Sequence, residues 1–492
     1  MKLYESLAAD IAAQISQGVI REGERIPSVR QTSQHHNLSV STVIRAFLLL
    51  ESRGVIESRP QSGYFVRKRP AALVQSLAQA APDEPLAAAD MARAEVFDTG
   101  EFVLTTLRSI HQGSIPLGSP YPDPAAFPWA RLNQHANSIS RRDGEIAIST
   151  DLPPGNPELI RQIARRHLEN GLAVDSAEII VTTGATEALN LCLQAVAAPG
   201  SLIAVETPTY YALLQAIERL RMRVVEIETD PVEGINLEAL ERAIVEQGVA
   251  ACMVMPNFQN PQGFQMSDER KRAMVEMLAR HDVPVIENDV YHELYYGDVH
   301  PSSLKNYDTR GLVLHCNSFS KTLSPAYRIG WTLPGRYRAR VEKLKFLNAI
   351  NTAALPQLAI AEYLRNDGYD YHLRKVRKAY AQQASIMAAA VRRFFPAGTI
   401  VSQPTGGYLL WVTLPGDARA LELYARAQER GISIGAGNVF ATGDAFQHCI
   451  RLNYSYPWTP EVEAAVRTLG LLAGEMSAQH SPNCTPRIKA NL

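Results

Sequence analysis

Cysteine is scarce in this chain: five in 492 residues, Cys192, Cys252, Cys316, Cys449 and Cys484, with no CxxC pair and no regular spacing. Four of them lie in apolar segments and read as small buried hydrophobes, which argues against a disulfide framework and against a metal site. No apolar run approaches the roughly 18 residues needed to cross a bilayer, and no charged-then-apolar leader opens the chain. A cytoplasmic protein without a membrane partner is therefore expected. Net charge is also nearly absent, since 49 Lys and Arg stand against 50 Asp and Glu. That balance hides an asymmetry: residues 1–69 carry ten basic and six acidic residues, a net +4, which leaves −5 for the rest. A mildly basic head on an acidic body points to a polyanion partner for the head alone. The length is too great for one compact core, so at least two units are expected.

In the head, Leu3, Leu7, Ile11 and Ile15 recur every four residues and predict a first helix ending near Gly18. Ser28 can cap a second helix, with Gln31 completing a capping box. After the turn at Asn37-Leu38, Ser39 can cap a third, which buries Val43, Ala46, Phe47 and Leu50. Its outer face then holds Ser41, Thr42, Ile44 and Arg45. Two β-runs follow, Val55–Ser58 and Tyr64–Arg67, joined by Arg59-Pro60-Gln61-Ser62-Gly63. Three helices and a hairpin make a winged helix-turn-helix, whose third helix enters the major groove while the wing touches backbone or minor groove. The pattern alone also fits a small dimerisation unit. The strings P-S-V-R, S-x-S-T-V-x-R-A and R-P-x-S-G-Y-F-V resemble the GntR-type winged helix, and that resemblance favours DNA. Arg30, Arg45 and Arg59 are the cations expected near phosphate or base edges, with Ser41, Thr42 and Gly63 beside them. Many relatives place an arginine directly after the serine that opens the recognition helix; Val40 stands there in this chain.

Residues 70–96 are rich in alanine, proline and acid without a consistent apolar period, which reads as a tether. From 97 to 476 strand and helix patterns alternate, the signature of a mostly parallel sheet with helices on both faces. Ile179-Ile180-Val181 runs into Thr182-Thr183-Gly184-Ala185-Thr186 and a helix, and such a helix N-terminus is a ready phosphate seat. Strands at Leu202–Glu206, Ala250–Met255, Pro284–Glu287 and Leu312–Cys316 follow. Gly407–Val412 and Cys449–Asn453 belong to a smaller domain, and residues 477–492 read as a disordered tail.

The stretch Asn317 to Trp331, N-S-F-S-K-T-L-S-P-A-Y-R-I-G-W, sets a lysine at the carboxyl end of a buried strand, where open α/β sheets bind ligands. Two hydroxyls and a guanidinium accompany Lys321, a set suited to a ligand bearing an aldehyde and a phosphate. The run resembles the cofactor-lysine segment of fold-type I pyridoxal-phosphate enzymes of the aminotransferase class I/II family. By that resemblance Lys321 forms the internal aldimine with pyridoxal 5'-phosphate, while Ser318, Ser320, Arg328, Ala185 and Thr186 hold its phosphate. Tyr210, in E-x-P-x-Y, stacks on the ring. Asn260, in N-P-x-G, is preferred to Asn257 as the partner of the phenolic oxygen, and Tyr291 adds a second bond there. A carboxylate as deep as Asp289 is costly unless paired, and the pyridinium nitrogen is its expected partner. Arg451, in C-I-R-L-N-Y-S, corresponds to the arginine that takes a substrate carboxylate. Where many relatives have a tyrosine that crosses the dimer interface to the phosphate, Thr150 stands.

The whole chain thus resembles the MocR subfamily of GntR-type transcription regulators, which implies a winged helix-turn-helix domain (1–69) and an aminotransferase-like fold-type I body of α/β class with a smaller α+β domain. The resemblance implies a homodimer, with heads able to lie on partner bodies, that binds double-stranded operator DNA. The body would sense the cofactor, or a small amine or amino acid effector, through aldimine exchange at Lys321. The alternative is an active amino acid aminotransferase with an appended DNA-binding domain.

Overall fold

A computed structural model describes residues 3–16, 20–59, 62–67, 99–111, 113–142, 144 and 151–479. The chain divides into two units, Met1–Glu95 and Val96–Leu492. The tether expected at 70–96, Thr150, Cys484 and most of the expected tail lie outside the described residues.

In the first unit the helices are Leu3–Ser16, Val29–His36 and Val40–Ser52, followed by an antiparallel hairpin of Ile56–Arg59 and Gly63–Val66. Ser28 and Gln31 form both arms of the capping box, and Asn37 takes a left-handed conformation (φ +50°) that closes the second helix. Ser39 Oγ accepts from the Thr42 amide at 3.2 Å and starts the third helix. Leu7, Ile11, Val43, Ala46, Phe47, Leu50, Ile56 and Val66 make the core. Leu3 does not join it: at 67 % exposure it projects from the first turn, one turn beyond the reach of the third helix's apolar face. Phe47 meets Tyr64 edge to face at 5.0 Å, which ties the third helix to the wing.

The second unit is built on an eight-stranded sheet. In spatial order the strands are Ile180–Thr182, Gly330–Leu333, Val313–Ser318, Val285–Asn288, Ala251–Val254, Leu202–Thr207, Arg223–Asp230 and Gly234–Ile235. The five from Val313–Ser318 to Arg223–Asp230 run parallel; Gly330–Leu333 is antiparallel to both neighbours, and Gly234–Ile235 to its own. Parallel strands buried on two faces read as continuous apolar runs, which is why most were legible. Arg223–Asp230 was not, because its alternating charges lie toward an edge where one side meets water. One face packs on the helices Ala185–Val196 and Tyr211–Arg219, with Ile286 and Leu189 in one cluster. The other face packs on Leu237–Gln247 and Asp268–Arg280, with Val285 and Leu304 in another.

The smaller domain is a four-stranded antiparallel sheet, Ile400–Val401, Leu409–Thr413, Cys449–Asn453 and Gly435–Ala436, under the helices Tyr369–Phe394 and Pro460–Gln479. That last helix corrects the expected tail boundary at 477, since Leu469, Leu472, Ala473 and Met476 are buried and carry the helix on to Gln479. Cys192, Cys252, Cys316 and Cys449 are free and buried. Among the described residues no helix is long and apolar enough to cross a membrane.

Candidate functional site

A cavity opens at the carboxyl ends of the parallel strands of the second unit. Its electropositive end is built from Arg328 and the helix that begins at Ala185. Gly184 caps that helix with φ +80° and no side-chain hydrogen bond, which leaves the first amides available to an anion. A Cβ on Gly184 would fall 2.6 Å from Arg328 Nη2, so only glycine lets the guanidinium approach. Gly330 is needed for the same packing, because a Cβ there would lie 2.6 Å from the Gly184 carbonyl carbon and 2.8 Å from the Ala185 nitrogen. Arg328 itself donates to the Thr183 carbonyl at 3.1 Å. Ser318 and Ser320 are buried in the same wall, and Ser320 Oγ has no partner among the described residues.

Lys321 enters from the end of strand Val313–Ser318, which a short 3₁₀ turn, Phe319–Lys321, re-aims into the cavity. Its Nζ donates to the Pro120 carbonyl at 2.8 Å and lies 4.6 Å from the centre of the Tyr121 ring. Among the described residues no carboxylate pairs with it. Burial, reinforced by the Arg451 and Arg328 cations, pushes its pKa down to about 7. The amine is thus substantially neutral, and nucleophilic, near physiological pH. Tyr121 and Pro120 were missed from the sequence; they precede the pattern-bearing part of the body, and no local motif marks them.

Tyr210 and Tyr291 line the cavity, and burial pushes the Tyr291 phenol up to about 12. Asn260 lines it too, and its Oδ1 accepts from Arg451 Nη1 at 3.1 Å. The second Arg451 nitrogen, Nη2, donates to the Gly118 carbonyl at 2.8 Å. Arg451 Nε is buried with no partner among the described residues, beside an adjoining cavity that shares Pro120. The site therefore gathers residues from seven segments spread over more than 300 positions.

Asp289 does not face this cavity, which corrects its expected place at the ring nitrogen. Strand side chains alternate between faces, so Asp289 follows Val285 and Glu287 onto the face opposite Ile286. There its Oδ1 accepts from Asn257 Nδ2 at 2.9 Å, and Asn257 in turn accepts from the buried Lys271 at 2.8 Å. Glu287 accepts from the Leu304 amide at 2.7 Å on that same face. Burial, with Glu287 close by, raises the Asp289 carboxyl to about 8. Asn288 faces the cavity in its stead.

A pyridoxal phosphate fits these residues at its two reactive ends. The helix N-terminus, Arg328 and the Ser320 hydroxyl, which has no partner among the described residues, suit a phosphate, and the Lys321 amine, held by a carbonyl rather than a carboxylate, suits an aldehyde.

Residues 129–469 match the family described as aminotransferase class I and II, and residues 3–66 match the bacterial regulatory proteins of the gntR family. The chain is 39% identical to the uncharacterised HTH-type transcriptional regulator YdcR of Escherichia coli K12 over 476 residues, 96% of this chain and 100% of that one. It is 34% identical to YjiR of the same organism, described in the same words, covering 96% of this chain and 98% of the relative. Among solved structures, the multiple substrate aminotransferase from Thermococcus profundus superposes with a TM-score of 0.71 at 26% identity, covering 77% of this chain and 95% of that one.

Proposed function

Since the chain belongs to the aminotransferase class I and II family and carries a GntR-family head, as HTH-type transcriptional regulators matched along its length do, we propose that it is a MocR-type regulator. Its second unit would hold pyridoxal 5'-phosphate and answer to an amine. The observation that carries this reading is the pairing, in one chain, of a DNA-binding head with an unpaired, neutral-leaning Lys321 beside a phosphate seat. When bound, the cofactor supplies an aldehyde that condenses with amines and a ring that draws electrons.

The protein's residues have separate tasks. Ala185 and Thr186 offer amides, Arg328 a charge, and Ser318 and Ser320 hydroxyls to the phosphate. Tyr210 supplies an aromatic wall, and Asn260 and Tyr291 offer hydrogen bonds to the phenolic oxygen. Lys321 gives its amine. An effector amine that displaces Lys321 returns it to the Pro120 carbonyl and the Tyr121 ring, its position in this structure. Arg451, whose Nε has no partner among the described residues, would meet an effector carboxylate and so join the smaller domain to the occupied site. An effector binding the two arrangements unequally shifts their populations, and through them the placement of the heads on DNA.

On the head, Ser41, Arg45 and the partly buried Thr42 lie on the outer side of the third helix, and Arg30 is exposed on the second. Arg59 stacks on Phe65 at 4.3 Å and pairs with Glu57 at 2.8 Å, so the wing presents it in a fixed pose next to Gly63. These groups would meet double-stranded operator DNA as a homodimer in the cytoplasm, with each head free to serve its partner's body. Gel shifts with the DNA upstream of the gene, with and without pyridoxal phosphate and candidate amines, test the reading. Discrete complexes that respond to the cofactor are expected; no binding at modest salt refutes it.

A further inference from the structure

Asn288 ends strand Val285–Asn288, fourth of eight in the sheet, and is 2 % exposed. Its side chain makes no hydrogen bond among the described residues, and its Oδ1 is buried without a partner. A buried amide without a partner is costly, and one that also lines a cavity offers its hydrogen bonds to a ligand atom. Period-two alternation puts it with Ile286 on the face whose apolar cluster includes Leu189, and both Leu189 and Asn288 line the cavity.

The polar groups of the cavity can be matched with those of the ligand. The phosphate has the helix N-terminus, Arg328 and the serines, the aldehyde has Lys321, and the phenolic oxygen has Asn260 and Tyr291. The ring nitrogen is the polar ligand atom that remains, and beside the Tyr121 and Tyr210 hydroxyls Asn288 is the one lining amide left without an assigned ligand atom among the described residues. A carboxylate there would stabilise a protonated nitrogen by opposite charge; an amide carries no charge. It can donate an N–H to the nitrogen lone pair, and a buried cation without a counter-charge is disfavoured. Asp289 does not supply that charge from the opposite face, where Asn257 donates to its Oδ1 and Lys271 donates in turn to Asn257.

Resting on the cofactor reading above, we infer that Asn288 meets the ring nitrogen and leaves it unprotonated, so that this site binds and exchanges amines while lacking the electron sink that transamination requires. The site is a receptor by composition. An incoming amine can form its C=N bond as the bond to Lys321 breaks, with the lysine leaving as a free amine. Breaking a substrate C–H bond calls for an electron-poor ring, which Asn288 does not sustain.

Solid-state 15N NMR of the full-length protein reconstituted with cofactor labelled at the ring nitrogen tests this. A pyridine-like signal is expected in the wild type, moving to the pyridinium position in Asn288→Asp and staying in place in Asp289→Asn. A pyridinium signal in the wild type overturns the inference, and so does a signal that moves in Asp289→Asn but not in Asn288→Asp. The wild-type spectrum decides even if a variant does not fold. If desalted protein retains neither label nor visible absorbance, the cofactor reading itself fails and takes this inference with it.

Discussion

The proposed capture of pyridoxal phosphate by Lys321 would have a pH dependence that the site's geometry sets. An ordinary lysine titrates near 10.4, so at pH 7 only about one in 2,500 is neutral, and its neutral share grows close to tenfold per unit through pH 9. In this protein burial, Arg451 and Arg328 bring the value down to about 7. The neutral share is then about one-tenth at pH 6, about one-half at pH 7 and about nine-tenths at pH 8. Phosphate monoesters titrate near pH 6, so the ligand's phosphate hardly changes charge in the window above pH 7. Stopped-flow absorbance after mixing cofactor-free protein with pyridoxal phosphate should show a rate that rises about twofold from pH 7 to 8 and then levels. Arg451→Met removes one of the two nearby cations, and its plateau should move to higher pH. A wild-type rate that climbs tenfold between pH 8 and 9 would refute the argument, because it would mean that the capturing amine is not held where Lys321 lies.

Three further outcomes are expected. Arg328→Ala removes a charge-assisted contact worth roughly 1.5–3 kcal/mol, so the cofactor should be retained about 10- to 100-fold less tightly in an absorbance titration. Gly330→Ala drives a Cβ into the Gly184 and Ala185 backbone; overpacking of this kind costs about 1–3 kcal/mol, visible as a lower melting temperature. Arg45→Ala on the recognition helix should weaken operator binding, and if that residue meets a phosphate the slope of log affinity against log salt should fall by about 1.

How much of the site was legible depends on how local each feature is. The strand–turn–helix at one end of the cavity was, because Gly184, Ala185 and Thr186 adjoin in sequence and the pattern fixes where their amides point. Lys321 was legible for the same reason, with Ser318, Ser320 and Arg328 within seven residues of it. Tyr121 and Pro120 were not, since they reach Lys321 across some 200 positions and no turn or period announces them. The strand Gly330–Leu333 was read as part of the lysine segment, and nothing in its four residues says that it runs antiparallel between Ile180–Thr182 and Val313–Ser318.

By itself the sequence determined a helix-turn-helix head, a mostly parallel sheet and a lysine at the carboxyl edge of one strand, since apolar period, capping residues and turn chemistry act over a few residues. The structure carries the strand expected at Pro284–Glu287 on to Asn288, with Ile286 and Asn288 on one face and Glu287 and Asp289 on the other. Which of those faces holds the cavity was decided only when the helix beginning at Ala185 packed on the Ile286 side and Asp268–Arg280 on the other. Asp289 therefore went to Asn257, and Asn288 to the cavity, because a strand offers two surfaces and only its neighbours in space choose between them.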